Sequence, residues 1–144
     1  MATREVTLTK AARDVLDQAQ VESRRLQHEY IGTEHVALAL LRITEGPTAA
    51  VWRGLSIDTK GLGDAIDSFV AQGKAPSPDG KLPLTSRTKR ALDLSADAAR
   101  ESNNIESAPE HLLLGLLRES KGVGGQMLST HGVTVAAVQR VLAG

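Results

Sequence analysis

Residues 34–42 read EHVALALLR, and residues 110–118, which lie 76 positions later, read EHLLLGLLR. In both runs a Glu-His pair precedes an almost continuous apolar segment. The same register, without a gap, places Leu8-Thr9 on Leu84-Thr85 and Gly46 on Gly122. A match of this length at one fixed spacing indicates an internal duplication. We therefore interpret the chain as two copies of one unit.

Helical periodicity and turn residues divide each unit into four segments. Thr9 is a suitable N-cap, and the apolar residues that follow it recur three, four or seven positions apart. Gly32 and Gly46-Pro47 mark the breaks that follow. The helices predicted in the first unit cover about 10–27, 33–43, 46–54 and 58–72. Those predicted in the second cover about 85–103, 108–119, 123–131 and 134–142.

These segments predict an all-α fold of two tandem four-helix repeats, related by a pseudo-twofold axis. Repeat one covers about 6–72 and repeat two about 84–143. The residues between them, about 73–83, begin with GKAPSPDG, whose Gly, Pro and Ser content is typical of an exposed linker. Neither unit has many large apolar side chains, so we expect the two to pack together as one domain over residues 1–144.

Composition excludes several classes of protein. Aromatic residues make up 2% of the 144, so the core must be aliphatic. The 17 basic and 17 acidic residues are interspersed, which argues against a nucleic-acid partner. Cysteine is absent, so the chain has neither a disulfide framework nor a thiol nucleophile. No apolar run reaches the roughly 18–20 residues of a membrane span, and residues 1–10 lack the apolar core of a signal peptide. We expect a cytoplasmic protein that does not contact membranes.

The Glu-His pairs allow three interpretations. The first is a metal site, but neither His35 nor His111 has a third ligand in its motif, so we expect no metal and no other cofactor. An acid–base dyad in a hydrolytic enzyme is the second interpretation, but adjacent helical side chains point roughly 100° apart. In the third, each histidine packs near its helix start and forms local hydrogen bonds. We adopt the third and predict that the chain is not an enzyme.

Glu34 and Glu110 stand in the first turn of the most apolar helix of each unit. The helix dipole alone favours a carboxylate there. Alternatively, the two carboxylates receive a cation, and arginine is the natural guest because its planar guanidinium matches a carboxylate. The glycine-rich segment 121–125 has two interpretations as well, either an anion-binding helix start or, as we prefer, a turn before a helix.

Residues 28–41, HEYIGTEHVALALL, resemble the signature of the Clp N-terminal repeat domain, and residues 110–117 resemble its second copy. That domain precedes the ATPase modules of ClpC-, ClpA- and ClpB-type unfoldases. The resemblance covers about 6–142 and is closest to the ClpC type. It implies a module that binds substrates and adaptor proteins for a Clp ATPase and its protease.

The resemblance also implies site residues. In ClpC-type members the glutamate of this motif contacts arginine-phosphorylated substrates, a role that passes to Glu34 and, more weakly, to Glu110. Thr9 and Thr85 begin the first helices, where free N–H groups can hold a phosphate. We expect each site to combine the carboxylate of one unit with the helix start of the other.

The place of this module stays open, because the chain is either part of a longer chaperone or a free-standing member of the family. A free-standing copy would act as an adaptor, as a decoy for adaptors or as a regulator of the assembled protease, the last two without recognising substrates. We expect a monomer. In the homo-oligomeric alternative, Val51, Trp52 and Val70 would form an exposed apolar patch.

Overall fold

The computed structural model describes residues 6–144, and within that range its regular structure consists of α-helices and two isolated β-bridges. The helices are α1 Lys10–Arg25, α2 Thr33–Leu41, α3 Gly46–Gly54, α4 Thr59–Phe69, α5 Ser86–Glu101, α6 Pro109–Glu119, α7 Val123–Thr130 and α8 Val135–Ala143. The prediction of an all-α fold is confirmed. Every predicted helix is present, and its ends fall within three residues of the predicted ones.

The two halves are related in the 76-residue register throughout. Helices α1 and α5 both have 16 residues and both begin after a threonine N-cap, Thr9 and Thr85. The two β-bridges are related in the same way, since Leu8 pairs with Ser107 and Ile31 pairs with Leu84. Each bridge joins the segment before one unit's first helix to the segment before the other unit's second helix. This arrangement supports a pseudo-twofold axis, while the repeat boundaries stay a prediction.

The halves interlock around one aliphatic core. Helix α7 packs against α2 as well as α6, and α3 packs against α6 and α8, so the third helix of each unit covers the other unit. Trp52 and Val51 are buried, and Trp52 Nε1–H donates to the carbonyl of Leu40 at 3.1 Å. Val70 is partly buried against the same core. The apolar patch proposed for self-association is therefore wrong, because its residues belong to the core.

Residues 73–83 contain no helix and follow the flank of α1. The Arg24 guanidinium donates to the carbonyls of Pro78 and Gly80, and the Leu82 amide donates to Gln20 Oε1 at 2.7 Å. Most of the segment is exposed, as predicted, whereas Leu82 is buried. These bonds fix the path of the chain into α5, and therefore the position of Thr85.

A buried carboxylate joins three helices of the first unit. Glu22 in α1 is fully buried and accepts hydrogen bonds from Arg42, at the end of α2, and from Arg25. Arg25 also forms a bidentate pair with Asp67 of α4, at 2.9 and 3.1 Å. Burial on its own would raise the pKa of Glu22, but the hydrogen bonds from Arg42, Gln18 and Arg25 hold it below its usual value.

No helix within residues 6–144 is long and apolar enough to span a bilayer.

Candidate functional site

The start of α2 presents Glu34 as a carboxylate without a partner. Gly32 is the N-cap residue, and a Cβ built on it would lie 2.1 Å from Glu34 Oε1. The carboxylate therefore folds back over the space that glycine leaves open. Among residues 6–144, Glu34 has no hydrogen-bond or ion-pair partner, so this half-buried carboxylate is available to a cation.

His35 fixes the helix start from below through a chain of hydrogen bonds. The Gly32 amide donates to His35 Nδ1 at 2.8 Å, which leaves Nε2 as the protonated nitrogen of a neutral ring. His35 Nε2 lies 2.7 Å from His28 Nδ1, and His28 Nε2 lies 2.6 Å from the carbonyl of Ala71. With both rings neutral, each N–H has an acceptor along this path. The chain ties the start of α2 to the segment after α4.

Burial, and to a smaller extent the neighbouring His28, lower the pKa of His35 to about 4. His35 therefore stays neutral near pH 7. Tyr30 stacks on the His28 ring, with centroids 5.5 Å apart and planes within 5°. Partial burial, together with the charge of Glu34, raises the pKa of Tyr30. The tyrosine is thus a partly exposed aromatic wall beside Glu34.

The glycine-rich segment at α7 serves helix packing. The Gly124 amide donates to Thr33 Oγ1 at 3.1 Å, and a Cβ on Gly124 would lie 2.2 Å from the Thr33 carbonyl oxygen. Only glycine lets the start of α7 approach the start of α2 so closely. The preferred interpretation of this segment, a turn before a helix, agrees with Gly122 as the N-cap of α7.

Glu34 and the start of α5 face one shared depression, which we call the first pocket. It measures about 410 Å³ and draws on α2, α5 and α7, with lining residues Tyr30, Gly32, Thr33, Glu34, Thr85, Ser86, Arg87, Lys121, Gly122 and Val123. The predicted pairing of one unit's carboxylate with the other unit's helix start therefore occurs here. Arg87 and Lys121 contribute two positive charges that the sequence analysis missed. The 76-residue register gives no signal for them, because it pairs Arg87 with Ala11 and Lys121 with Glu45.

Thr85 acts mainly as a helix cap. Its Oγ1 accepts from the Thr88 amide at 3.2 Å and lies 2.8 Å from Thr88 Oγ1, while its own amide donates to the Ile31 carbonyl. The hydroxyl oxygen is thus already engaged within the helix start. The groups that the helix leaves for an anion are the amides of its first turn, those of Ser86 and Arg87.

Glu110 and Thr9 come together in a related depression, the second pocket, of about 580 Å³. Its described lining residues are Thr7, Thr9, Asn103, Asn104, Ile105, Glu106, Ala108, Glu110 and His111. Thr9 caps α1 by accepting from the Ala12 amide at 3.1 Å, as Thr85 does in α5. The four predicted site residues thus form two crossed pairs, Glu34 with Thr85 and Glu110 with Thr9.

The histidines are placed as the third interpretation predicts. His35 is fully buried with both ring nitrogens engaged, and His111 is buried with Nδ1 accepting from the Ala108 amide at 2.9 Å. Glu110 and His111 both line the second pocket, but each histidine uses Nδ1 to accept the amide at its own helix start, which argues against a Glu-His dyad. Within residues 6–144, no group of three or more His, Cys, Asp or Glu side chains is arranged to hold a metal ion.

A larger groove lies between the two pockets, along α1 and the segment before α5. It measures about 780 Å³ and has an apolar floor with a charged rim. The floor is formed by Leu8, Leu16, Ile31, Leu82, Pro83 and Leu84, and the rim includes Lys10, Arg13, Asp14, Asp17, Lys81 and Lys89.

Comparison with known proteins gives consistent results. A family model described as the Clp repeat (R) N-terminal domain matches residues 7–131. The chain is 37% identical over 135 residues to the negative regulator of genetic competence ClpC/MecB of Bacillus subtilis, and 36% identical over 135 residues to the chaperone protein ClpB of Oceanobacillus iheyensis. In both cases the alignment covers 93% of this chain and 16% of the relative.

A solved structure described as a complex of the ClpV N-domain with a VipB peptide has the same fold. Its TM-score is 0.75 at 15% sequence identity, and the match covers 99% of this chain and 97% of the ClpV chain. At this identity the likeness concerns the fold alone.

Proposed function

The chain belongs to the Clp repeat (R) N-terminal domain family, and from this premise we propose that it is a docking module for substrates or adaptor proteins of a Clp-type ATPase. The observation that carries the proposal is the crossed pairing of Glu34 with the start of α5 in the first pocket. The guest that fits this pairing is an arginine-phosphorylated segment of protein.

The first pocket offers one group for each end of a phosphoarginine. The Glu34 carboxylate has no partner among the described residues and can accept a bidentate pair from a guanidinium. Tyr30 lies beside it as a surface on which a planar guanidinium can stack. The first-turn amides of α5 supply donors for the phosphate, reinforced by the dipole of a 16-residue helix. A phosphoserine lacks the cationic part and gains nothing from Glu34.

The apolar groove supports a second and compatible role, the docking of an unmodified peptide. Its floor consists of Leu, Ile and Pro side chains, while charges of both signs form its rim. Such a surface suits a segment with apolar anchors and charged flanks. The structure described as a ClpV N-domain with a VipB peptide is a precedent for peptide binding on this fold.

Direct binding measurements test the proposal. Fluorescently labelled peptides of one sequence carry phosphoarginine, arginine or phosphoserine, and anisotropy gives their affinities. We expect the phosphoarginine peptide to bind best, and Glu34→Gln to lower its affinity by about 10- to 150-fold, since a charge-assisted hydrogen bond contributes about 1.5–3 kcal/mol.

Asp64→Asn is the matched control for that variant. It makes the same charge change on α4, outside the first pocket, where Asp64 pairs with Lys60 on the surface. We expect it to leave the affinity unchanged. Equal losses in the two variants, or equal affinity for all three peptides, would contradict this function for the pocket.

The alternatives concern the place of the module in a larger assembly. The chain covers 16% of the length of its curated relatives, so an attached or separate ATPase belongs to the proposal. A regulator or decoy would bind Clp adaptors through the groove without recognising phosphoarginine. A pull-down with Clp ATPases and adaptors, repeated with Leu16→Asp in the groove, distinguishes that role from recognition in the pocket.

A further inference from the structure

The two pockets face their guests with opposite charge, although the fold relates them by the same register. The first pocket contains Glu34 together with the cationic side chains Arg87 and Lys121. The second contains Glu106 and Glu110, and its described lining residues include no lysine or arginine. The difference lies in the side chains, because the helix starts, the threonine caps and the β-bridges correspond in both halves.

Three changes between the pockets make the second one less suited to an anion, although Lys10, which lies outside the described lining of the second pocket, stands where the first has Ser86. In the 76-residue register, Arg87 corresponds to Ala11 and Lys121 corresponds to Glu45. Tyr30 corresponds to Glu106, so a carboxylate replaces the aromatic wall. The first pocket thus retains two cations near the helix start that would receive a phosphate, and the second pocket has no cation at these positions.

Arg87 is held in place by a shielded carboxylate. Glu119 has a side chain that is 6% exposed, and its Oε2 lies 3.5 Å from Arg87 Nη1. Its other oxygen accepts the Gly122 amide at 2.7 Å, at the N-cap of α7. Glu119 is thereby fixed from the opposite side of the pocket. The Arg87 side chain remains 54% exposed, so it still has donors for a ligand.

From this asymmetry, and resting on the function proposed above, we propose that Arg87 is the residue that makes the domain select phosphorylated over unmodified arginine, and that only the first pocket does so. Glu34 attracts the guanidinium in either form of the ligand. Arg87, positioned by Glu119 and accompanied by Lys121, binds the added phosphate. The domain therefore binds one phosphoarginine per chain.

Two variants test the role of Arg87. We expect Arg87→Gln to lower affinity for a phosphoarginine peptide by about tenfold, at the lower end of a charge-assisted contact, and to leave the arginine peptide unaffected. Arg90→Gln, one turn further along α5 and outside the pocket, makes the same charge change and serves as the control. A preference that survives Arg87→Gln, or that both variants reduce equally, overturns the role of Arg87.

Stoichiometry tests the restriction to one pocket. Isothermal titration of the wild type is expected to give one phosphoarginine peptide per chain. The double variant Ala11→Arg, Glu106→Tyr gives the second pocket the residues of the first at these two positions. We expect this variant to bind a second phosphoarginine peptide, with lower affinity. Two equal sites in the wild type overturn the inference.

The failure of this inference differs from a failure of the proposed function. Binding of phosphoarginine and arginine peptides with equal affinity, abolished by Glu34→Gln, contradicts only the selectivity assigned to Arg87. Absence of binding by either peptide contradicts the proposed function and the inference together.

Discussion

Gly32→Ala is expected to change peptide binding and the stability of the fold in different directions. The methyl group would lie 2.1 Å from Glu34 Oε1 and 2.9 Å from its Cδ, so the carboxylate must leave its position. The backbone at Gly32 has φ −97° and ψ 174°, which alanine adopts without strain. The hydrogen bond from this residue's amide to His35 is retained, because it does not involve the added atom.

The substitution is expected to weaken peptide binding and to stabilise the fold. Displacing the carboxylate removes one charge-assisted contact of about 1.5–3 kcal/mol, which lowers affinity for a phosphoarginine peptide by about 10- to 150-fold. The same substitution reduces the entropy of the unfolded chain and stabilises the fold by about 0.4–1 kcal/mol. The chain already contains this alanine once, since Ala108 holds the position equivalent to Gly32.

Urea unfolding and peptide anisotropy measure the two effects. Gly63→Ala is the control, because a Cβ at that position of α4 meets only Leu38 Cδ2, at 3.8 Å. It should stabilise the protein by about 1 kcal/mol and leave binding unchanged. Undiminished affinity in Gly32→Ala would refute the reasoning, because the position of Glu34 would then be irrelevant. A large loss of stability would refute the backbone argument.

Three further predictions concern the fold. Because the pKa of His35 is about 4 in the folded chain and about 6.5 unfolded, the free energy of unfolding should fall by about 3 kcal/mol from pH 6.5 to 4, and His35→Asn should flatten that slope in urea titrations. Glu22→Gln should lower the free energy of unfolding by about 1–3 kcal/mol at pH 7, whereas Lys60→Ala, at an exposed pair, should leave it nearly unchanged. Leu128→Ala in repeat two should lower the free energy of unfolding by about 2–5 kcal/mol. The unfolding transition followed by the fluorescence of Trp52, in repeat one, should shift as much as the one followed by circular dichroism, and separate transitions would contradict a shared core.

Much of the fold follows from local signals in the sequence. Thr9 caps its helix as predicted, and Thr85, its counterpart in the 76-residue register, does the same, because a threonine hydroxyl satisfies an amide at a helix start wherever the helix packs. Helix α1 ends at Arg25, two residues before its predicted end, because Gln27 adopts a left-handed conformation with φ 58°. Asn103, its counterpart, does the same with φ 63°. Such a stop has no reliable sequence signal unless glycine marks it.

The carboxylates of the site could be predicted, but their surroundings could not. Glu34 and Glu110 stand out because each begins an apolar helix. Arg87 lies on α5 and Lys121 lies just before α7, 53 and 87 residues further along than Glu34, and both reach the pocket only through the interlocking of the repeats. The hydrogen-bonded pair of His28 and His35 likewise depends on the turn between α1 and α2.

We propose that one pocket, built from both repeats, receives the guest. An amide-shift titration of the labelled protein with a phosphoarginine peptide tests it most directly. We predict saturable shifts at Gly32–Glu34 and at Ser86–Arg87 that follow one common dissociation constant, because both segments line the same pocket. Shifts confined to one of these segments, or different constants for the two, would contradict a composite site.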